Sequence, residues 1–301
     1  MTEPAPPPAL PDERPRSDLK RRILKWTAIT LGSLLGVAVL AAGVLYIRGR
    51  SVVGRTYEVA AQLTNVPTDS ASMAHGEHIA LTRGCMFCHG ERLEGKLVAD
   101  VPPLVMAPPN LTRGAGGVGS RYAAVDWDRA VRYGVRPDGR ALLPMMPYEI
   151  YNRLNDADMA ALASYLASRP AVDNQVPPTR LKALGYIMFG MGGLPRDGLD
   201  RPRQIITPGA TPEYGAYIAS TTCVACHGPQ LEGVEERGQT VPGLHAYGEI
   251  EVGALARALR TGTAVDGRQL SEDMPWQAFR HMTDTEIAAV HAHLQDLARR
   301  D

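Results

Sequence analysis

The sequence predicts an all-α protein, with one N-terminal transmembrane helix followed by two tandem helical domains. Three observations predict it. A single apolar run near the N-terminus is long enough to cross a bilayer, the remainder carries one pattern twice, and no segment alternates apolar and polar residues as a half-buried strand would. The length of 301 residues suits two domains of about 100 residues each, with an anchor and linkers. Charge is balanced, 32 Lys+Arg against 32 Asp+Glu, so no global field draws the chain to nucleic acid.

Residues 1–22 read as a cytoplasmic, disordered, basic tail, because the proline-rich stretch from Pro4 to Pro15 cannot bury enough apolar surface to fold. Residues 23–47 read as the transmembrane anchor. Within them, Trp26 to Ile47 is a 22-residue run whose only polar members are Thr27, Thr30 and Ser33. As a helix it would reach about 33 Å, enough for a bilayer core. Six basic residues, Arg14, Arg16, Lys20, Arg21, Arg22 and Lys25, precede the run, and Arg48, Arg50 and Arg55 follow it. The positive-inside rule leaves the N-terminus in the cytoplasm of a bacterial-type inner membrane and everything after Ile47 on the outer, periplasmic face. The rival is a cleaved signal peptide ending near Val39-Leu40-Ala41, but this run is longer than the usual apolar region of such a signal. The basic pairs around Lys20 to Lys25 are similar to a twin-arginine export signal, and the charge rule accounts for them equally well.

After a linker, 48–71, the chain divides into a first domain, 72–170, a Pro/Gly-rich linker with a short helix, 171–209, and a second domain, 210–301. The division follows a duplication. Each copy opens with Gly-x-x-Ile, at Gly76 and Gly215, and runs into Cys-x-x-Cys-His-Gly-x-x-Leu-Glu-Gly, which begins at Cys85 and Cys223. The closing parts align without a gap at an offset of 128, placing Gly134 on Gly262, Asp138-Gly139-Arg140 on Asp266-Gly267-Arg268, and Met146-Pro147 on Met274-Pro275. The cysteine motifs align at 138, so the ten extra residues of the first copy belong to a loop, most simply within Pro102 to Gly119. Helices are expected at Ser72 to Arg83 and Pro212 to Thr222, at Asp126 to Tyr133 and Glu251 to Arg260, and at Asp156 to Ser168 and Asp284 to Arg299. Asn155 and Thr283 are suited to cap the last pair. The apolar patch from Leu181 to Leu194 is too short to span a membrane and is expected to form a linker helix packed on a domain, with contact at a membrane surface as the alternative.

All four cysteines, Cys85, Cys88, Cys223 and Cys226, sit in Cys-x-x-Cys pairs followed at once by His89 or His227. This is the attachment signature of c-type haem. Cysteines three apart lie on one side of a helical turn, so both sulfurs reach one haem edge, and the next residue offers its imidazole to the iron. A zinc ribbon would bring its cysteine pairs within about 20 residues of each other. A thioredoxin-like pair would need a βαβ context, and neither condition holds. Two covalent haem c groups are therefore expected. Such a cofactor would also supply apolar volume to a chain with only 6% aromatic residues and three Phe.

The sixth iron ligand decides between electron transfer and ligand chemistry. Met146 and Met274 occupy matched positions in the two copies, whereas the counterpart of Met145 is Asp273, so Met146 and Met274 are the expected axial ligands. The second ring nitrogen of His89 and of His227 should donate to a carbonyl, with Pro109 and Pro242 as candidates. Arg140 and Arg268 are candidate partners of haem propionates, or else surface turn residues. Tyr148 and Trp276, after the Met-Pro pairs, are expected to pack beside the haems and exclude water. The other histidines, His75, His78, His245, His281, His291 and His293, are assigned no iron.

From Cys85 to Leu166 the first copy resembles class I c-type cytochrome domains, especially the haem domains of membrane-bound dehydrogenase cytochrome c subunits. The residues that carry the resemblance are Ala107-Pro-Pro-Asn-Leu-Thr112, Ala130-Val-Arg-Tyr-Gly134, Met146-Pro-Tyr148 and the helix Leu154 to Leu166. The second copy is similar to the generic cytochrome c pattern over Cys223 to Leu294. The resemblance implies two tandem cytochrome c domains, three or more helices around each haem, His/Met ligation, and service as an electron relay. Redox partners would be a dehydrogenase, a quinol-oxidising complex or a terminal oxidase. Alcohol-dehydrogenase subunits of this type carry three haem motifs, and this chain carries two. The alternatives are a haem enzyme of the peroxidase or thiosulfate-oxidising kind, with one labile sixth ligand, and a respiratory subunit that uses haem mainly to fold.

Overall fold

The computed structural model of the chain describes residues 16–194, 205–236, 239–271 and 273–300. The expected disordered stretch from Pro4 to Pro15 and residues 195–204 of the second linker lie outside the described residues.

Helix α1, Arg16–Val53, is continuous, and it is long and apolar enough to cross a membrane, with its apolar window wholly exposed. It starts seven residues earlier than the expected anchor, inside what reads as the disordered tail. Asp18 in the first turn favours the helix N-terminus, and the lysines and arginines that follow are good helix formers. The helix also continues past Ile47 through Arg48 and Arg50 into the expected linker.

The first copy contains α2, Ser70–Thr82; α3, Cys85–His89; a hairpin of β1, Ala99–Val101, and β2, Leu104–Met106; α4, Ala124–Tyr133; α5, Tyr148–Tyr151; and α6, Asp156–Ser168. Strand β3, Arg180–Leu181, adds to β2 and is followed by α7, Ala183–Gly192. In the second copy come α8, Pro212–Ser220; α9, Val224–His227; β4, Val234–Glu236, paired with β5, Gln239–Val241; a 3₁₀ turn, His245–Gly248; α10, Val252–Thr261; α11, Trp276–Phe279; and α12, Asp284–Ala298. The architecture is mostly helical, as expected. The small hairpins are additions, built of strands too short to show any alternation in the sequence.

The repeated glycine at the start of each copy is a packing requirement. A Cβ at Gly76 would lie 1.9 Å from the Ala161 carbonyl of α6, and one at Gly215 would lie 1.9 Å from the Ala289 carbonyl of α12. The first and last helices of each copy therefore cross at backbone contact, which only glycine permits. Asn155 and Thr283 cap α6 and α12 through Asp158 N and Glu286 N, and Glu286 completes a capping box with Thr283.

The linker after α1 lies along the first copy. Tyr57 N donates to Gly139 O at 2.8 Å, Tyr133 Oη donates to Ala60 O at 3.0 Å, and the buried Asp128 carboxylate accepts from Gln62 N and Leu63 N at 2.9 and 3.2 Å. Helix α7 departs from the expected packing on a domain: its main partner is α1. Gly49 faces the Tyr186 carbonyl, Gly190 faces the Leu45 carbonyl, and Tyr46 and Tyr186 meet edge to face at 5.5 Å.

The two copies dock through equivalent surfaces. His78 of α2 bonds Glu286 of α12, and Tyr217 of α8 bonds Asp158 of α6. Counted from the repeated glycines His78 matches Tyr217, and at the offset of 128 Asp158 matches Glu286. The buried Arg83 lies between the copies, donating to Thr82 Oγ1 at 2.9 Å and to Thr221 Oγ1 at 3.1 Å.

Candidate cofactor site

In the first copy Gly84 turns the chain in the left-handed region (φ 72°) and starts the cysteine helix α3. The repeated tail of the motif in both copies has a mechanical purpose. Gly90 and Gly228 end the helical turns with φ of 86° and 87°, and Leu93 and Leu231, both buried, hold left-handed φ of 62° and 63°. That conformation costs a residue with a Cβ about 1–2 kcal/mol, and it is maintained identically in both copies. It brings Gly95 N to His89 O at 2.6 Å and Gly233 N to His227 O at 2.8 Å. Next, Leu111 N and Leu244 N donate to Leu93 O and Leu231 O, which carries a proline carbonyl up to each imidazole. His89 Nδ1 lies 2.9 Å from Pro109 O, and His227 Nδ1 lies 2.8 Å from Pro242 O. With Nδ1 donating, the lone pair resides on Nε2.

In front of His89 lies an apolar cavity, lined by Cys85, Cys88, Met145, Met146, Trp127 and Tyr151 among others. Cys85 and Met146 pack on the core that includes Ile79, Leu93, Trp127 and Leu162. In the second copy Cys223 and Met274 pack in the same way on Ile218, Leu231, Leu259 and Leu294. Met145 reaches the cavity, but only Met146 also packs on that core.

The electrostatics are those of a dry site. Burial pushes the Cys85 thiol up to about 12 and raises Cys88, Cys223 and Cys226 as well. Burial pulls His89 and His227 below the ordinary imidazole value, against the proline carbonyl bonds. Both rings are therefore neutral at pH 7, the form that ligates a metal. Among the described residues no group of three or more His, Cys, Asp or Glu side chains converges in a way that could hold a metal ion. The donor set, two cysteine sulfurs beside an imidazole and a methionine on an apolar wall, fits a large apolar metal-bearing group attached through sulfur.

The other expected site residues lie elsewhere. Arg140 and Arg268 are exposed, Arg140 outside the lining of the first cavity; the Arg268 guanidinium pairs with Asp266 at 3.1 Å, and the Arg140 backbone forms an antiparallel β-bridge with Thr56. Tyr148 is fully buried, but in a separate cluster with Tyr133 and Val135 under the linker. Its ring covers Gly134, and Trp276 covers Gly262 in the second copy, where a Cβ would sit 2.2 Å and 2.5 Å from the respective rings. The matched aromatic residues thus brace the ends of α4 and α10. The aromatic wall of the first cavity is instead Tyr122, Trp127 and Tyr151, and the Tyr151 hydroxyl donates to Arg83 O at 2.6 Å. The i, i+4 spacing of Trp127 and Val131 on α4 was the sequence signal for this wall. Arg83 had none, because its interest lies in a contact between copies.

A family model described as Cytochrome c matches residues 73–170 and 212–298. The cytochrome c subunit of the quinone-dependent alcohol dehydrogenase of Gluconacetobacter polyoxogenes is 30% identical over 58% of this chain and 40% of its own length. The gluconate 2-dehydrogenase cytochrome c subunit of Pantoea cypripedii is 25% identical over 80% of this chain and 63% of its own. A diheme cytochrome c-type protein of Cereibacter sphaeroides is 28% identical over 52% of this chain and 57% of its own. The chain spans less than two thirds of the length of each of these relatives.

Proposed function

The chain belongs to the cytochrome c family, and we propose that it carries two covalent haem c groups and relays single electrons on the periplasmic face of a bacterial inner membrane. Electrons would pass from a membrane-bound dehydrogenase or a quinol-oxidising complex to a downstream acceptor or terminal oxidase. The observation that carries this reading is the repetition of one donor arrangement in both copies: two cysteine sulfurs, an imidazole oriented by a proline carbonyl, and a methionine on the same apolar core.

When bound, haem supplies the one-electron couple of its iron. The chain's residues do the rest. Cys85 and Cys88, and Cys223 and Cys226, would fix the porphyrin edge. His89 and His227, each oriented by a proline carbonyl, and Met146 and Met274 would hold the iron. The apolar walls would keep water from the bound group, which favours a high potential. Helix α1 would be the anchor, with its basic flank in the cytoplasm. The relatives named as dehydrogenase cytochrome c subunits support a dehydrogenase as the electron donor. Two matched methionines favour a relay over a peroxidase-like enzyme, which needs one open iron position.

The test is the mass of the mature polypeptide together with its spectrum. Two added porphyrin masses and two low-spin haems that ignore cyanide and peroxide are expected. No added porphyrin would overturn the proposal, and one high-spin haem with rapid peroxide turnover would favour the enzyme.

A further inference from the structure

Helix α7 has no polar face. From Ala183 to Gly192 it reads Ala-Leu-Gly-Tyr-Ile-Met-Phe-Gly-Met-Gly, with no charged side chain. Helices apolar all round are buried in protein or in lipid. Here Leu184, Met188 and Met191 are 47, 48 and 62% exposed.

What covers them follows from where α7 sits. Gly49 of α1 lies against Tyr186, and Gly190 against Leu45, so as α7 advances its contact moves back along α1 into the apolar run. Gly193 and Leu194, just past the helix, line one open groove with Val44, Ile47, Arg48 and Val52 of α1. Val44 and Ile47 are 65 and 69% exposed, on the part of α1 that faces lipid if α1 spans the bilayer. Tyr46, Tyr186 and Arg50 cluster near the same level, the Arg50 guanidinium 5.8 Å from the Tyr186 ring centre. Tyrosine and arginine are the residues that settle at the headgroup level of a membrane.

We infer that α7 is embedded in the outer leaflet beside the anchor, with Leu184, Met188 and Met191 against lipid acyl chains, so that the chain meets the bilayer through two helices. The inference rests on α1 being a membrane anchor. Lipid is favoured over a protein partner because the exposed face of α7 is continuous with the exposed face of α1. The close backbone approach at Gly49 and Gly190 is also the way helices associate inside a bilayer.

The test uses the full-length haem-loaded protein in phosphatidylethanolamine/phosphatidylglycerol nanodiscs, reduced so that its low-spin iron is diamagnetic. A nitroxide label is placed on Met191→Cys, with Met188→Cys as a second site, Leu40→Cys as anchor control and Val265→Cys as water control. Accessibility to oxygen and to a water-soluble nickel chelate is compared. The labels at 188, 191 and 40 should be open to oxygen and protected from nickel, and the label at 265 the reverse. If 40 behaves as lipid-facing while 188 and 191 are open to nickel, the inference fails and the anchor stands. Protection of 188 and 191 from both reagents would mean a protein covers α7, which also overturns it. If 40 is open to nickel, the anchor reading itself falls.

Discussion

His78 reaches across the domain boundary to Glu286, with its Nε2 at 2.9 and 2.8 Å from the two carboxylate oxygens. Tyr217 to Asp158 is the same contact with the copies exchanged. The interface is thus self-complementary, each first helix gripping the start of the other copy's last helix, as in a two-fold symmetric dimer.

Because the two contacts are equivalent, His78→Leu and Tyr217→Phe should each weaken domain docking by a similar amount, about 1–2 kcal/mol. Denaturant unfolding followed at the haem bands should show the loss in each variant and an additive loss in the double variant. A strongly unequal pair would mean that the docking is not symmetric in energy.

The same cluster gives stability a two-sided pH dependence. Burial opposes the charges of Asp158 and Glu286, but hydrogen bonds from His75 and Tyr217 to the first, and from His78 and Thr283 to the second, hold both below the ordinary carboxylate range. Their contribution is present above the unfolded values of 3.8 and 4.5 and is lost as pH falls through the folded ones. His75 is raised above 6.5 by its bond to Asp158, so its contribution is full below that value and is lost as pH rises through the folded one. The thermal midpoint should therefore be highest at roughly pH 5 to 6.5 and fall on both sides. In His75→Gln the alkaline fall should shrink and the acid fall should remain.

Replacing Met274 by Ala should lower the potential of the second haem or turn it high-spin while the first is unchanged, and Met146→Ala should do the reverse. Redox titration with magnetic circular dichroism reads both properties. An unchanged spin state and potential would remove the methionine from the ligand set.

Gly76→Ala and Gly215→Ala insert a Cβ where the α2–α6 and α8–α12 crossings leave none. Each should destabilise its own domain by about 1–3 kcal/mol or more. Thermal unfolding monitored at each haem should show one domain moving per substitution.

Much of this molecule was legible as local code. The spans of α6 and α12 and their caps at Asn155 and Thr283 follow from side chains that bond their own neighbours. So does the turn after each cysteine motif, because glycine is the residue that tolerates its geometry. The aromatic residues after Met-Pro were placed by their neighbourhood in the chain, beside the expected ligand. The structure instead turns Tyr148 away, onto Gly134 and the linker. Arg140 and Arg268 read equally as propionate partners or as surface turn residues, and the structure shows the turn, with the Asp138 and Asp266 carboxylates accepting from the Arg140 and Arg268 backbone N–H groups. The partner of α7 was out of reach for a different reason. Glycines at 49 and 190 lie far apart in sequence, and nothing local says that two backbones meet there.

The segment between α1 and α2 is bonded to the first domain at Tyr57, Ala60, Gln62, Leu63 and Pro67. A bracket fixed at so many points does not let its load sway. If α1 spans a bilayer, the first domain would stand at one elevation over it, and its reach would be set by rotation and lateral diffusion of the whole assembly. Any protein that exchanges electrons with it would have to present its own redox centre at that elevation.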